Sequence, residues 1–111
     1  MTVYVDDMKA EFEPDHRPGR RYVMSHMIAD TEAELHLMAR KIGVARKWYQ
    51  GDHYDVTQSK KAEAIKLGAR LITWKQLGMM ANNRRAGLPL GTPETAEAVA
   101  HKRLEKYSAR K

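Results

Sequence analysis

The sequence predicts a single small α/β domain, with a mostly parallel sheet of about four strands, flanking helices and a C-terminal helix. Two observations predict it. The chain has 111 residues, of which 42% are hydrophobic, and this length and composition are typical of one folded core. From residue 21 onward, short β-branched and aromatic runs alternate with capped, amphipathic segments. Such alternation favours parallel strands joined by right-handed helical crossovers.

Four runs rich in β-branched and aromatic residues predict the strands. They cover residues 2–6, 21–29, 44–49 and 69–74. Between the first two, residues 9–20 contain two prolines and a glycine, which predicts a loop.

Three helix starts carry a side chain that can cap the helix, followed three residues later by Glu or Gln. The pairs are Thr31 with Glu34, Asp55 with Gln58, and Thr73 with Gln76. The predicted helices run to Ile42, Leu67 and about Ala81. Gly43 and Gly68 stand where a left-handed residue would end the first two.

The last part of the chain predicts a linker and a helix. We assign residues 1–85 to the α/β domain, and residues 86–111 to a linker and a C-terminal helix that packs on the domain or on a partner. The apolar stripe of that helix, over roughly residues 93–108, is thin. We therefore expect that residues 90–111 can be removed without unfolding the domain. A homo-oligomer formed through this helix stays an open alternative.

Charge favours a phosphate-bearing partner. The formal net charge is +6 and the isoelectric point is near 9.7, with the bases concentrated in the second half of the chain. A basic surface of this kind attracts nucleotides or nucleic acid, although a solvated lysine-rich surface would give the same totals. There is no cysteine, which excludes disulfides and thiolate metal sites. No apolar run reaches the ~18 residues of a membrane span and no secretory signal is evident, so we expect a cytoplasmic protein without membrane partners.

The segment Gly51–Lys61 follows the third predicted strand and concentrates polar chemistry. Ligands of open parallel sheets bind beyond the carboxyl ends of the strands, and the next helix would offer its N-terminus to an anion. The predicted ligand-binding residues at this edge are His53, Tyr54, Lys60, Lys61, Trp74 and Lys75. The leading interpretation is therefore a protein that binds a nucleotide or nucleic acid there.

Acidic residues at the same predicted edge support a second interpretation. They are Asp6, Asp7, Asp30, Asp52 and Asp55. Asp6, Asp7 and Asp55 would bind Mg²⁺ or Mn²⁺, which prefer carboxylate oxygens, and His53 would transfer a proton. This set predicts a metal-dependent phosphodiester hydrolase or nuclease, although aspartates are also common in ordinary turns. These alternatives leave open whether the protein is an enzyme.

Two further features complete the candidates. His26 lies in a predicted strand between Met24 and Ile28, and we interpret it as a hydrogen-bonded core residue. The tail carries Lys102, Arg103, Lys106, Arg110 and Lys111. These bases would contact phosphates, or would grip a host protein if the chain is an oligomeric interaction module.

Three runs resemble one small family. They are MTVYVDDM, SHMIADTEAELHLMARKIGV and HYDVTQSKKAEAIKLGARLITWKQL, within roughly residues 1–80. They resemble the domain-of-unknown-function 4031 proteins of bacteria and their phages. The resemblance implies a bacterial host cell, possible phage origin and no settled activity. Relative to that family, EFEPDHRPG looks inserted and the tail from about residue 86 lies outside the match.

Overall fold

The computed structural model describes residues 2–13, 15 and 18–98. The strands are β1 (Val3–Asp6), β2 (Ala10–Phe12), β3 (Tyr22–Ala29), β4 (Tyr54–Thr57) and β5 (Arg70–Ile72). The helices are α1 (Glu32–Lys41), α2 (Gln58–Lys66) and α3 (Trp74–Arg85), with a 3-10 helix at Arg46–Trp48. Residues 93–98 are also helical. None of the described helices is long and apolar enough to span a membrane.

The sheet has five strands and is mixed, so the predicted mostly parallel sheet of about four strands is wrong. The long strand β3 pairs antiparallel with β1, β2 and β4, and only β1 and β5 are parallel. The partners of β4 on β3 overlap those of both β1 and β2. Because a strand has two edges, β4 lies along one edge of β3, while β1 and β2 share the other.

The connection between β3 and β4 explains the error. In a parallel crossover the helix itself returns the chain to the start of the next strand. Here α1 returns the chain, but residues 42–53 then carry it back before β4 begins. As a result Tyr54 pairs with Met27, near the end of β3, and β4 runs antiparallel to it.

Two short segments were predicted wrongly. Residues 44–49 are not a strand, because Arg46–Trp48 form a 3-10 helix with all three side chains exposed. Conversely β2 lies in the predicted loop. All three of its residues are exposed, so it lacks the alternation of apolar and polar residues that identifies a half-buried strand.

Helix caps were predicted in two of three cases. The side chain of Thr31 accepts from the backbone N–H of Glu34, and Thr73 forms a full capping box with Gln76. Asp55 does not cap α2, because it lies within β4. The cap is Thr57, whose side chain accepts from the backbone N–H of Lys60.

Helices cover both faces of the sheet and create two cores. Successive strand residues point to opposite faces, so Val5 and Met27 join the core under α1 and α2, while Tyr4 and Ile28 join the core under α3. The members of the second core are Tyr4, Ile28, Ile72, Leu77, Met80, Leu90 and Ala96.

The segment after α3 contributes Leu90 and Ala96 to this second core. Removing residues 90–111 is therefore expected to destabilise the domain, contrary to the expectation from the sequence. Leu90 is 8% exposed and Leu88 is 37% exposed. We expect Leu90→Ala to lower the free energy of unfolding by about 2–4 kcal/mol, because it leaves a cavity, and Leu88→Ala to cost less than about 1 kcal/mol. Urea denaturation of both variants measures this. Equal, small losses would show that Leu90 does not anchor this segment in the second core.

Candidate metal centre

Three strands bring polar side chains together on the sheet face that α3 covers. In the register of β3 and β4, His26 lies directly opposite Asp55, and directly paired residues have neighbouring side chains. Asp6, the last residue of β1, is 1% exposed. Its carboxylate accepts from the backbone N–H of His26 at 2.8 Å and contacts the ring Nδ1 at 2.8 Å.

Two imidazoles and one carboxylate face the same point. The Nε2 of His26 is 3.7 Å from Asp55 Oδ1, and the Nε2 of His53 is 3.5 Å from that oxygen. One ligand atom from each residue lies within 4.8 Å of the others, and all three residues are partly exposed. Among the described residues, this is the group with the spacing needed to hold a metal ion.

Each imidazole is held by a further carboxylate. Nδ1 of His26 lies 2.8 Å from Asp6 Oδ2, and Nδ1 of His53 lies 2.6 Å from Asp52 Oδ1. A carboxylate accepts a hydrogen bond, so Nδ1 carries the proton and the Nε2 lone pair faces the cluster. Metal-binding histidines are usually oriented by such carboxylates.

The Oδ2 atoms of Asp52 and Asp55 accept hydrogen bonds from other side chains. Asp52 Oδ2 accepts from the Nε of Arg85 at 2.7 Å, which ties α3 to the loop before β4. Asp55 Oδ2 accepts from the side-chain amide of Gln50 at 2.6 Å. Asp55 Oδ1 is thereby left to face the two rings.

The electrostatics favour positive charge at the cluster. The hydrogen bond to Asp6 raises the pKa of His26, burial opposes that change, and the charges of Asp6 and Asp55 add to it. Burial by itself would raise the pKa of Asp52, but hydrogen bonds from Arg85 and His53 outweigh burial and hold that pKa below its usual value. Asp52 therefore remains ionised near neutral pH, and the carboxylates around the rings attract a cation.

The cluster opens on two sides. A cavity of about 210 Å³ lies between the sheet and α3, and its lining includes Asp6, His26, His53 and Arg85. A larger groove of about 750 Å³ reaches His26 and Asp55 from the side of β2 and the 3-10 helix. Coordination by three side chains would leave room for water or substrate.

The acids predicted as ligands have different positions. Asp55 is in the cluster, and Asp6 orients His26. The carboxylate of Asp7 accepts from the backbone N–H of Trp74, at the start of α3. Asp30 holds the backbone N–H of Thr2 and the hydroxyl of Tyr4, at the far end of β1, because β1 and β3 are antiparallel.

The predicted ligand-binding residues do not form one site. Tyr54 is 1% exposed in the core under α1 and α2, and its hydroxyl is 2.7 Å from Nδ1 of His36. Lys61 Nζ donates to the carbonyl of Asp6 and the hydroxyl of Ser25. Lys60 lines the larger groove.

Trp74 and Lys75 lie together at the start of α3. Lys75 Nζ is 5.6 Å from the centre of the Trp74 ring, and Trp74 lines the smaller cavity. Of the predicted ligand-binding residues, His53 belongs to the group His26, His53 and Asp55, and Trp74 lines the cavity that opens onto that group.

Sequence reasoning did not identify His26 as a member of the cluster. The side chain of His26 is 30% exposed, so it is not the core residue that its apolar neighbours suggested. Its sequence signal was a polar residue in a strand otherwise rich in Met and Ile. Only the pairing of β3 with β4 shows that it faces Asp55.

Comparison with known proteins confirms the family resemblance. A protein family described as "Protein of unknown function (DUF4031)" has a model that matches residues 3–84. That span contains the three residues of the cluster. No curated protein and no solved structure matches the chain.

Proposed function

We propose that this chain, which belongs to the DUF4031 family of proteins of unknown function, is a metal-dependent phosphodiester hydrolase. In this proposal His26, His53 and Asp55 bind a divalent transition-metal ion. One observation carries the proposal. One ligand atom from each of the three residues lies within 4.8 Å of the others, both Nε2 atoms are within 3.7 Å of Asp55 Oδ1, and each ring is oriented by a second carboxylate.

The ligand types favour zinc or a similar ion. Imidazole suits Zn²⁺ and the neighbouring first-row metals, whereas Mg²⁺ prefers oxygen ligands. A set of two histidines and one carboxylate is typical of catalytic zinc sites, which keep a further position open. The proposed ligand set thus has His26 and His53 in place of Asp6 and Asp7.

Hydrolysis fits the groups around the cluster. A divalent ion supplies a Lewis acid and lowers the pKa of a water molecule. In the reaction the water oxygen bonds to phosphorus and one P–O ester bond breaks. One water proton goes to the leaving oxygen and the other to the phosphomonoester or solvent. Arg85 lines the smaller cavity and Lys60 lines the groove, so each opening of the cluster has a cationic side chain, although Arg85 also holds Asp52 and Lys60 is 3.6 Å from Glu63.

The two other interpretations have less support. A single phosphate site at the start of α2 would require Tyr54, Lys60 and Lys61 to converge, and their side chains point to different surroundings. The basic tail proposed to grip a host protein, residues 102–111, lies outside the described residues.

Metal binding and hydrolysis are measured together. We expect the wild-type protein to bind one Zn²⁺ or Co²⁺ per chain in equilibrium dialysis, and to hydrolyse bis(p-nitrophenyl) phosphate only when loaded. Asp55→Asn should weaken metal binding about tenfold, since an amide oxygen is a poorer ligand than a carboxylate. Asp7→Asn is the matched control and should leave metal affinity unchanged.

Metal binding and hydrolysis test different parts of the proposal. A protein that binds no metal, or that loses it equally in Asp7→Asn and Asp55→Asn, would refute the His26–His53–Asp55 site. A protein that binds metal at this site without hydrolysing the diester would refute the hydrolase.

A further inference from the structure

The groove beside the cluster carries exposed aromatic rings. It is lined by Phe12 on β2, Tyr22 on β3 and Trp48 on the 3-10 helix, and it extends to His26 and Asp55. Phe12 and Trp48 are each 52% exposed. Phe12 and Tyr22 are direct partners across the two strands, so their rings project from neighbouring positions. We call these three side chains and the space between them the aromatic groove.

Basic side chains accompany the rings. Arg20 lies 5.9 Å from the centre of the Tyr22 ring, and Lys47 Nζ lies 5.3 Å from the centre of the Trp48 ring. Lys60 also lines the aromatic groove. Glu11 also lines the groove, but it pairs with Arg21 at 3.4 Å. The groove therefore offers flat apolar faces with positive charge alongside, and this pattern distinguishes it from a purely apolar surface.

We propose that the aromatic groove binds the bases of a single-stranded nucleic acid and thereby presents a backbone phosphodiester to the proposed metal site at His26, His53 and Asp55. This inference rests on the proposed hydrolase and names its substrate. Aromatic side chains stack on unpaired bases while basic side chains contact the backbone, and this combination is how proteins hold single strands without reading sequence.

The chemistry of the groove favours this occupant over others. Bases in a duplex are already stacked on each other and cannot lie on Phe12 or Trp48. An apolar peptide would use the rings but would offer no anion to Arg20 and Lys47, whose charges lie beside them. A single strand provides bases for the aromatic rings and phosphates for the basic side chains. Its phosphates lie between successive bases, so one of them can lie at the proposed metal site at the end of the groove.

Binding is measured without cleavage by using metal-free protein. Fluorescence anisotropy would follow labelled single strands of DNA and RNA of about 12 nucleotides, within the usual range of site sizes. We expect Phe12→Ala and Trp48→Ala each to weaken binding at least about fivefold, the effect of losing one stacked base. Affinity should fall steeply with salt, and a duplex of the same sequence should bind more weakly. Parallel DNA and RNA titrations identify which backbone is preferred.

Leu71→Ala is the control, because Leu71 is 54% exposed and lines neither the aromatic groove nor the cavity beside the cluster. It should bind single strands like the wild type. Hydrolysis of bis(p-nitrophenyl) phosphate should also be unchanged in Phe12→Ala and Trp48→Ala, since that small substrate does not need the groove. The inference is overturned if both variants bind like the wild type, if Leu71→Ala loses as much, or if duplex binds as well as single strand.

Failure of the inference and failure of the hydrolase are distinguishable. A protein that hydrolyses the small diester but does not bind oligonucleotides refutes the aromatic groove alone. A protein that binds single strands through Phe12 and Trp48 but takes up no metal refutes the hydrolase, and leaves a single-strand binding protein.

Discussion

Replacing Asp6 with asparagine is expected to weaken metal binding about 100-fold, at the upper end of what residues that orient metal ligands contribute. The amide oxygen can still accept from the backbone N–H of His26. The amide nitrogen, however, replaces the oxygen that faces Nδ1 of His26, and it can only donate. Nδ1 then becomes the acceptor and the ring proton moves to Nε2, so Nε2 no longer has a lone pair for the metal.

The tautomer of His26 distinguishes this effect from simple loss of structure. Long-range ¹H–¹⁵N spectra of the imidazoles should show the proton on Nδ1 in the wild type and on Nε2 in Asp6→Asn, with equilibrium dialysis giving the affinity. Asp52→Asn tests the same effect at His53. We expect a smaller loss there, because the side chain of Asp52 is 22% exposed whereas Asp6 is 1% exposed, so water can replace part of the lost contact. An Asp6→Asn protein that keeps both the wild-type tautomer and the wild-type affinity would contradict the proposed orientation.

Tyr54→Ala is expected to cause the largest loss of stability, about 3–5 kcal/mol, which is the usual cost of truncating a buried aromatic side chain. Tyr54 is 1% exposed in the first core. The neighbouring change His53→Ala should abolish metal binding and cost less than about 1 kcal/mol, because His53 faces the cluster rather than either core.

Tyr54→Ala should therefore act mainly on stability, and His53→Ala mainly on metal binding. Urea denaturation of metal-free protein measures the free energy of unfolding, and dialysis against Zn²⁺ measures the metal affinity. Tyr54→Phe is the conservative control. It keeps the ring but removes the hydroxyl that contacts His36, and should cost about 1–2 kcal/mol. If His53→Ala unfolds the protein as readily as Tyr54→Ala, the two residues do not have the separate roles assigned here.

Local signals predicted some elements well. The β-branched run around β1, the apolar strand β3 and the cap at Thr31 depend on neighbouring residues in the chain, and all three are confirmed. Local signals failed where the end of a short strand adjoins the start of a helix. Asp55 with Gln58 imitates a helix cap, whereas Asp55 lies in β4 and the cap is two residues later.

The candidate site was predicted in part for a related reason. His53, Asp55 and Asp6 follow predicted strands, so the general rule about strand ends identified them. His26 lies in the middle of β3, and a strand residue shows its neighbours only when the register with the next strand is known. The pairing of His26 with Asp55 depends on the direction of β4, which the path of residues 42–53 determines and local pattern does not.

The parallel pairing of β1 with β5 has a consequence for biosynthesis. Tyr4 pairs with Arg70, so one long edge of β1 stays without its partner until the chain has been synthesised beyond residue 72. Contacts between residues so distant in sequence slow folding, and a nascent chain with an unpaired apolar edge is prone to aggregate. Ribosome-bound chains that stop after α2 should therefore associate with chaperones that bind exposed strands, and chains extended past β5 should be released from them.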